Sequence, residues 1–155
     1  MNLDNLSCIN PAKGAFRLDR SLEQASFVST RLFQQLQNVA TRSDLTQSRV
    51  CLHSSDESLL QVMIIFHSKH HVVPRHQHFD KDEVIVIIQG SILITLYDNE
   101  GQESGSTLLS VKEALDSNTI CLIPKGCVHH VKMNEDSVFL EVSTGPFNPE
   151  QTHSF

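Results

Sequence analysis

Between positions 76 and 90 the chain reads HQHFDKDEVIVIIQG, and three of these side chains are metal-binding types at usable spacing. Side chains alternate faces along a strand, so His76 and His78 point the same way with Cα atoms about 7 Å apart. The polar stretch FDKD then turns the chain. Glu83 opens a new run in which it shares a face with Ile85 and Ile87. A hairpin of this form delivers two imidazoles and one carboxylate to one point. Downstream, PKGCVHH supplies a tight turn and then His129, a candidate fourth ligand at the start of another strand. Histidine is the commonest metal ligand, and the chain carries nine of them. A carboxylate facing an apolar interior is costly to bury unless a cation partners it. A divalent ion held by all four groups would be that cation.

The elements that must position these residues follow from the hydrophobic pattern. After about residue 50, short runs rich in Val, Ile and Leu succeed one another: Leu59–His67, His71–His76, Glu83–Gln89, Ser91–Tyr97, Gly105–Val111, Thr119–Ile123, Val128–Met133 and Val138–Ser143. Turn residues separate them at Gln89-Gly90, at DNEG before Gln102 and at PKG before Cys127. Short strands at such close spacing predict an all-β sandwich or barrel. Ahead of them, Leu22, Ala25, Val28, Leu32, Leu36 and Val39 recur every three or four positions, which predicts an amphipathic helix from Ser21, its N-cap, to about Ala40. Residues Met1 to Arg20 read as an irregular or edge-pairing extension, and Thr41 to Ser48 as a polar turn. The expected organisation is therefore an N-terminal extension and helix over 1–48, one β domain over 49–150 and a short tail over 151–155.

Composition narrows the classes of partner. The chain has 155 residues, enough for one domain with a substantial core. Twelve basic residues stand against eighteen acidic ones, for a net charge of −6, and no basic stripe occurs. That balance argues against nucleic acid and against an anionic membrane surface. The longest aliphatic runs, Val62 to Phe66 and Val84 to Ile88, fall far short of the roughly 20 residues of a membrane helix. The opening MNLDNLSCINPAKGAFR is not of secretory type, so a cytoplasmic location is expected. Cys8, Cys51, Cys121 and Cys127 form no CxxC pair and read as free thiols.

HxHx4Ex6G followed by PxGxxH resembles the paired motifs of the cupin superfamily. The resemblance implies a single-domain cupin, a double-stranded β-helix or jelly-roll barrel, preceded here by the helix. It also implies one divalent metal ion on His76, His78, Glu83 and His129. Over about residues 22 to 150 the chain further resembles the WbuC-type small cupin metalloproteins associated with bacterial O-antigen gene clusters. The supporting segments are RVCLH from Arg49 to His53, VPRHQH from Val73 to His78, and EVSTGPF from Glu141 to Phe147.

Three imidazoles and a carboxylate leave two open positions on an octahedral Fe(II), Mn(II) or Ni(II) ion, and Zn(II) fits a smaller shell. Those positions suit adjacent oxygens of a sugar derivative, whose carbonyl the ion would polarise. Arg49, His53, Glu141, Tyr97 and Lys125 are the candidate pocket residues; no catalytic acid–base pair is identifiable. Arg49 is placed to take an anionic group. If Leu140 and Val142 belong to the core, Glu141 faces solvent; if not, it points into the barrel, which the resemblance favours. His67, His70, His71 and His153 read as ordinary structural or surface residues, and His130 should face away from the metal. The function expected is a metal-binding small cupin, acting as an isomerase- or epimerase-like enzyme on a sugar or nucleotide-sugar in surface polysaccharide synthesis. A non-catalytic small-molecule-binding or regulatory cupin and an Fe(II)-dependent dioxygenase are the alternatives. The expected partners are a small-molecule ligand and a second copy of the chain, because a small barrel leaves a sheet edge to be covered.

Overall fold

The computed structural model of the chain describes residues 6–19, 28–112 and 117–155. The chain runs through β1 (Leu6–Asn10), β2 (Ala15–Leu18), α1 (Thr30–Arg42), β3 (Gln47–Cys51), β4 (Leu60–His67), β5 (Val72–His78) and β6 (Glu83–Gln89). It continues through β7 (Ser91–Tyr97), β8 (Glu103–Ser110), β9 (Ser117–Asn118), β10 (Ile120–Ile123), β11 (Val128–Met133), β12 (Ser137–Thr144) and β13 (Thr152–Ser154). Two sheets result. One has seven strands in the order β1-β2-β3-β4-β12-β6-β10, the other six in the order β13-β5-β11-β7-β8-β9. Pairing is antiparallel except between β2 and β3 and between β8 and β9. The protein is mostly β with one described helix.

Alternation decides which residues meet between the sheets. Along β6, Glu83, Ile85 and Ile87 are buried while the residues between them are only partly covered, the period of two that a pleated strand imposes. Ile65, Ile85, Ile87 and Phe139 of the seven-stranded sheet pack with Ile92, Ile94, Leu109, Val131 and Met133 of the six-stranded one. The opposite face of the seven-stranded sheet carries Val50, Ile64, Phe66 and Val138, which α1 covers with Leu32, Phe33, Leu36 and Ala40. Ser48 donates its hydroxyl to the Leu36 carbonyl at 2.7 Å and so ties β3 to the helix. Gly90 turns β6 into β7 at φ +80°, where a Cβ would lie 2.4 Å from the Asp136 carbonyl oxygen. Only glycine fits there.

The expected and observed elements differ at the ends of the chain. The expected N-cap Ser21 and residues up to 27 lie outside the described residues. Val28 and Ser29 are not helical, and α1 starts at Thr30. It runs to Arg42, past the expected stop, with the Thr41 hydroxyl donating to the Gln37 carbonyl at 2.9 Å. Gln47 and Ser48, read as turn, begin β3, because the Ser48 hydroxyl is satisfied inside the core. The extension forms the β1–β2 hairpin and joins the seven-stranded sheet beside β3. Thr152–Ser154, expected within a tail, pairs with β5 as an added strand.

Candidate metal centre and the cavity beside it

The two sheets contribute to the cluster from opposite sides. β5 supplies His76 and His78, and its neighbour β11 supplies His129, directly opposite His76 in register. β6, from the other sheet, opens on Glu83. One potential donor atom from each residue lies within 4.8 Å of all the others. Donors about 2.1 Å from a shared ion can be up to about 4.2 Å apart, so closure on an ion requires shifts of only a few tenths of an ångström. His129, Glu83 and His78 are buried, and His76 is half-buried.

The hydrogen bonds on the outer ring nitrogens set the chemistry inside. His76 Nδ1–H donates to the Pro74 carbonyl at 2.8 Å and His129 Nδ1–H to the Cys127 carbonyl at 3.1 Å. A carbonyl oxygen can only accept, so in the neutral rings Nε2 carries the lone pair. The His78 Nδ1 is engaged at 2.9 Å by the Thr152 hydroxyl, held opposite it by β13. Glu83 Oε1 lies 3.2 Å from His78 Nε2, and Oε2 lies 3.5 Å from His129 Nε2. For His129 a lone pair thus faces a carboxylate oxygen, an arrangement that calls for a proton or a cation between them. The donor set therefore fits a divalent ion on its own chemistry.

The electrostatics agree with this. Burial pushes the Glu83 carboxyl up, but a proton or cation shared with His129 and His78, together with the Lys81 ammonium 2.6 Å from Oε1, holds it well below the usual carboxylate range. Burial and then the neighbouring His129 lower His76 to about 4, so this ring is a neutral donor at physiological pH. Beside the cluster, a cavity of about 60 Å³ is lined by His67, His76, Glu83, His129 and Glu141 among others. Glu141 shares its inner face with Phe139, because Val138 and Leu140 on the alternate positions pack toward α1. Burial, reinforced by the Glu83 charge, raises the Glu141 carboxyl to about 7.

Glu141 also lines a larger cavity of about 350 Å³, where it meets Arg49 and His53. Three of the five expected pocket residues are thus brought together. His53 accepts at Nδ1 from the Val62 N–H at 3.0 Å, and burial lowers its pKa. Tyr97 and Lys125 line neither cavity. Tyr97, at the far end of β7, lies under the Arg75 guanidinium, 5.0 Å from its ring centre. Lys125 is exposed in the β10–β11 turn, its backbone N–H bound to Asp82. Thr152, Lys81 and Arg17 carry no sequence motif that marks them, and His67 reads from the sequence as a structural or surface residue. The first three reach the site through pairings distant in sequence or a turn geometry that no motif encodes. His67 is buried against Phe139 and His71, and its Nδ1 lacks a hydrogen-bond partner.

Two facing sheets with three histidines and one glutamate gathered between them are the arrangement expected of a cupin fold. Solved structures of that fold are similar to this chain. Protein SO0799 from Shewanella oneidensis is 20% identical with a TM-score of 0.54, over 67% of this chain and 66% of that one. The capsular polysaccharide assembling protein CapF from Staphylococcus aureus is 18% identical with a TM-score of 0.58, over 71% of this chain and 32% of that one. Both likenesses are of fold, and this chain spans just under two thirds of the first protein and about a third of the second. The chain belongs to the family described as a domain of unknown function (DUF6016), whose model matches residues 28–109. No curated protein matches it significantly. Among the described residues no helix is long and apolar enough to cross a membrane.

Proposed function

We propose that the protein is a metal-dependent cupin whose two sheets close into a barrel around one first-row divalent ion, Fe, Mn, Ni or Zn, held by His76, His78, Glu83 and His129. The observation that carries this reading is the convergence of three imidazole donors, two with Nδ1 committed to a carbonyl, on one buried carboxylate. A bound ion would supply a Lewis acid with open positions for ligand oxygens. The ligand class we assign is a sugar or nucleotide-sugar derivative of surface polysaccharide synthesis, processed by an isomerase- or epimerase-like reaction. The WbuC-type resemblance and the cavity beside the cluster, with Lys13, Arg17, Arg49 and Glu141 in its wall, support that class; CapF, by its own description, assembles capsular polysaccharide. We also place the chain in the cytoplasm, a reading supported by its four free cysteines. A homodimer completes the proposal, supported by exposed Ile120 and Leu122 on β10, the end strand of the seven-stranded sheet.

Elemental analysis of protein purified without added metal tests the central point. Close to one equivalent of a first-row divalent metal per chain is expected. The double variant His76→Ala/His78→Ala should lose most of it; full occupancy in that variant would end the reading.

A further inference from the structure

The inner face of the seven-stranded sheet continues beyond the metal cluster. Register sets Arg17, Cys51, Met63, Glu141 and Ile85 in one row across β2, β3, β4, β12 and β6. The first four of these border the cavity of about 350 Å³, which also takes in Lys13, Arg49 and Asp56 and shares Glu141 with the small cavity at the cluster. That volume lies within the range of small-molecule sites.

The charges lining this space are unevenly partnered. Arg17 is ion-paired with Asp56, and Lys81 with Glu83. Among the described residues no ion pair takes Arg49 or Lys13. The Nε atoms of Arg49 and Arg17 are both buried without a hydrogen-bond partner. Arg17 has Asp56, whereas among the described residues the Arg49 guanidinium has only the Cys51 thiol, a weak acceptor, as a hydrogen-bond partner. The Glu141 carboxyl, raised to about 7, is within reach of its charge. A buried donor left unmade is expensive, more so when charged, and such a group signals a partner that is missing. A planar guanidinium in a concave wall matches a carboxylate or phosphate, which it binds through two parallel N–H groups.

We propose that this cavity is an anion subsite, in which Arg49, assisted by Lys13 at the rim, binds the carboxylate or phosphate of a polyhydroxylated ligand whose other end passes Glu141 to the metal cluster. The ligand's sugar character rests on the function proposed above, whereas the subsite itself does not require the metal. Asp56 has a defined part: by neutralising Arg17 it limits the positive charge of the cavity.

Calorimetric titration of the full chain, metal-free and Mn(II)-loaded, with inorganic phosphate, glucose 6-phosphate, glucuronate and glucose tests this. At least one anion should bind at millimolar concentration and glucose should not; phosphate-bearing and carboxylate-bearing probes identify the preferred group. Arg49→Met should weaken that binding about ten- to a hundred-fold with metal content unchanged. Lys13→Ala should weaken it a few-fold, and Asp56→Asn should tighten it a few-fold by releasing Arg17. Absence of binding by all three anions, or wild-type affinity in Arg49→Met, would overturn the proposal. If Arg49→Met does not fold, unchanged affinity in both Lys13→Ala and Asp56→Asn overturns it instead. Failure of the metal reading is distinct: the purified protein then holds no metal while the metal-free titrations still respond.

Discussion

The three imidazoles differ in what holds them. His76 and His129 are oriented by carbonyls two residues earlier in the chain, whereas His78 depends on the Thr152 hydroxyl from β13. Outer partners of this kind typically change metal affinity ten- to a hundred-fold when removed. Thr152→Val keeps the β-branched shape, so metal affinity should fall by about that factor with little loss of stability, as read by competition with a chromophoric chelator. His67 gives a second prediction. Burial first, then the charges of His71 and Arg49, lower its pKa well below 6.5. Below pH 6.5 the unfolded chain therefore binds a proton that the folded chain refuses, and stability falls as pH falls. Above that pH its contribution is flat. Urea unfolding in chelator at pH 7 and pH 5 should show the loss, and His67→Phe should reduce it. An equal loss in the variant would remove His67 from the account.

At the scale of elements, α1 and the cluster lie on opposite faces of the seven-stranded sheet, so stability and metal binding should separate. Leu36 is 1% exposed in the helix–sheet layer. Leu36→Ala should cost about 2–5 kcal/mol in urea unfolding, while metal per folded chain stays unchanged. A loss of metal in folded Leu36→Ala would mean that the helix positions the site. Legibility of the elements followed how local their signals are. β6, β7 and β11 carry tight turns and continuous apolar alternation, and their observed bounds coincide with those read from sequence. β1, β2 and β13 are short and only weakly apolar, and they exist because distant strands offer hydrogen bonds.

For the whole molecule, metal binding to the native state alone would couple to stability. A ligand at a hundred times its Kd adds about 2.7 kcal/mol, so chelator should lower the melting temperature of wild type and leave His76→Ala/His78→Ala nearly unaffected. Equal melting of wild type with and without chelator would show that the fold does not depend on an ion. The proposed dimer belongs to this scale too. Ile120 and Leu122 are 59% and 62% exposed on β10, and end strands of sheets are commonly covered. Light scattering at micromolar concentration should give twice the monomer mass, and Leu122→Glu should shift it toward monomer; a monomeric wild type would contradict the dimer.

The cluster was legible because its information is local: HxH puts two rings on one strand face, and Glu83 follows across a short turn. His129 was legible for a similar reason, a turn of distinctive composition just before it. Alternation along β12 left the direction of Glu141 open, since Leu140 and Val142 suit either face. Packing under α1 decided it by taking Val138 and Leu140 to the other side. Only the tertiary structure brought Arg17 and Lys13 to the cavity and Thr152 to His78, because each contact spans a separation along which no sequence period persists. It also withheld Tyr97, at the end of β7 under Arg75, and Lys125, exposed in the β10–β11 turn, neither of which lines a cavity. Sequence alone thus determined the residue types and faces of the candidate centre. Long-range pairing decided which other residues surround it.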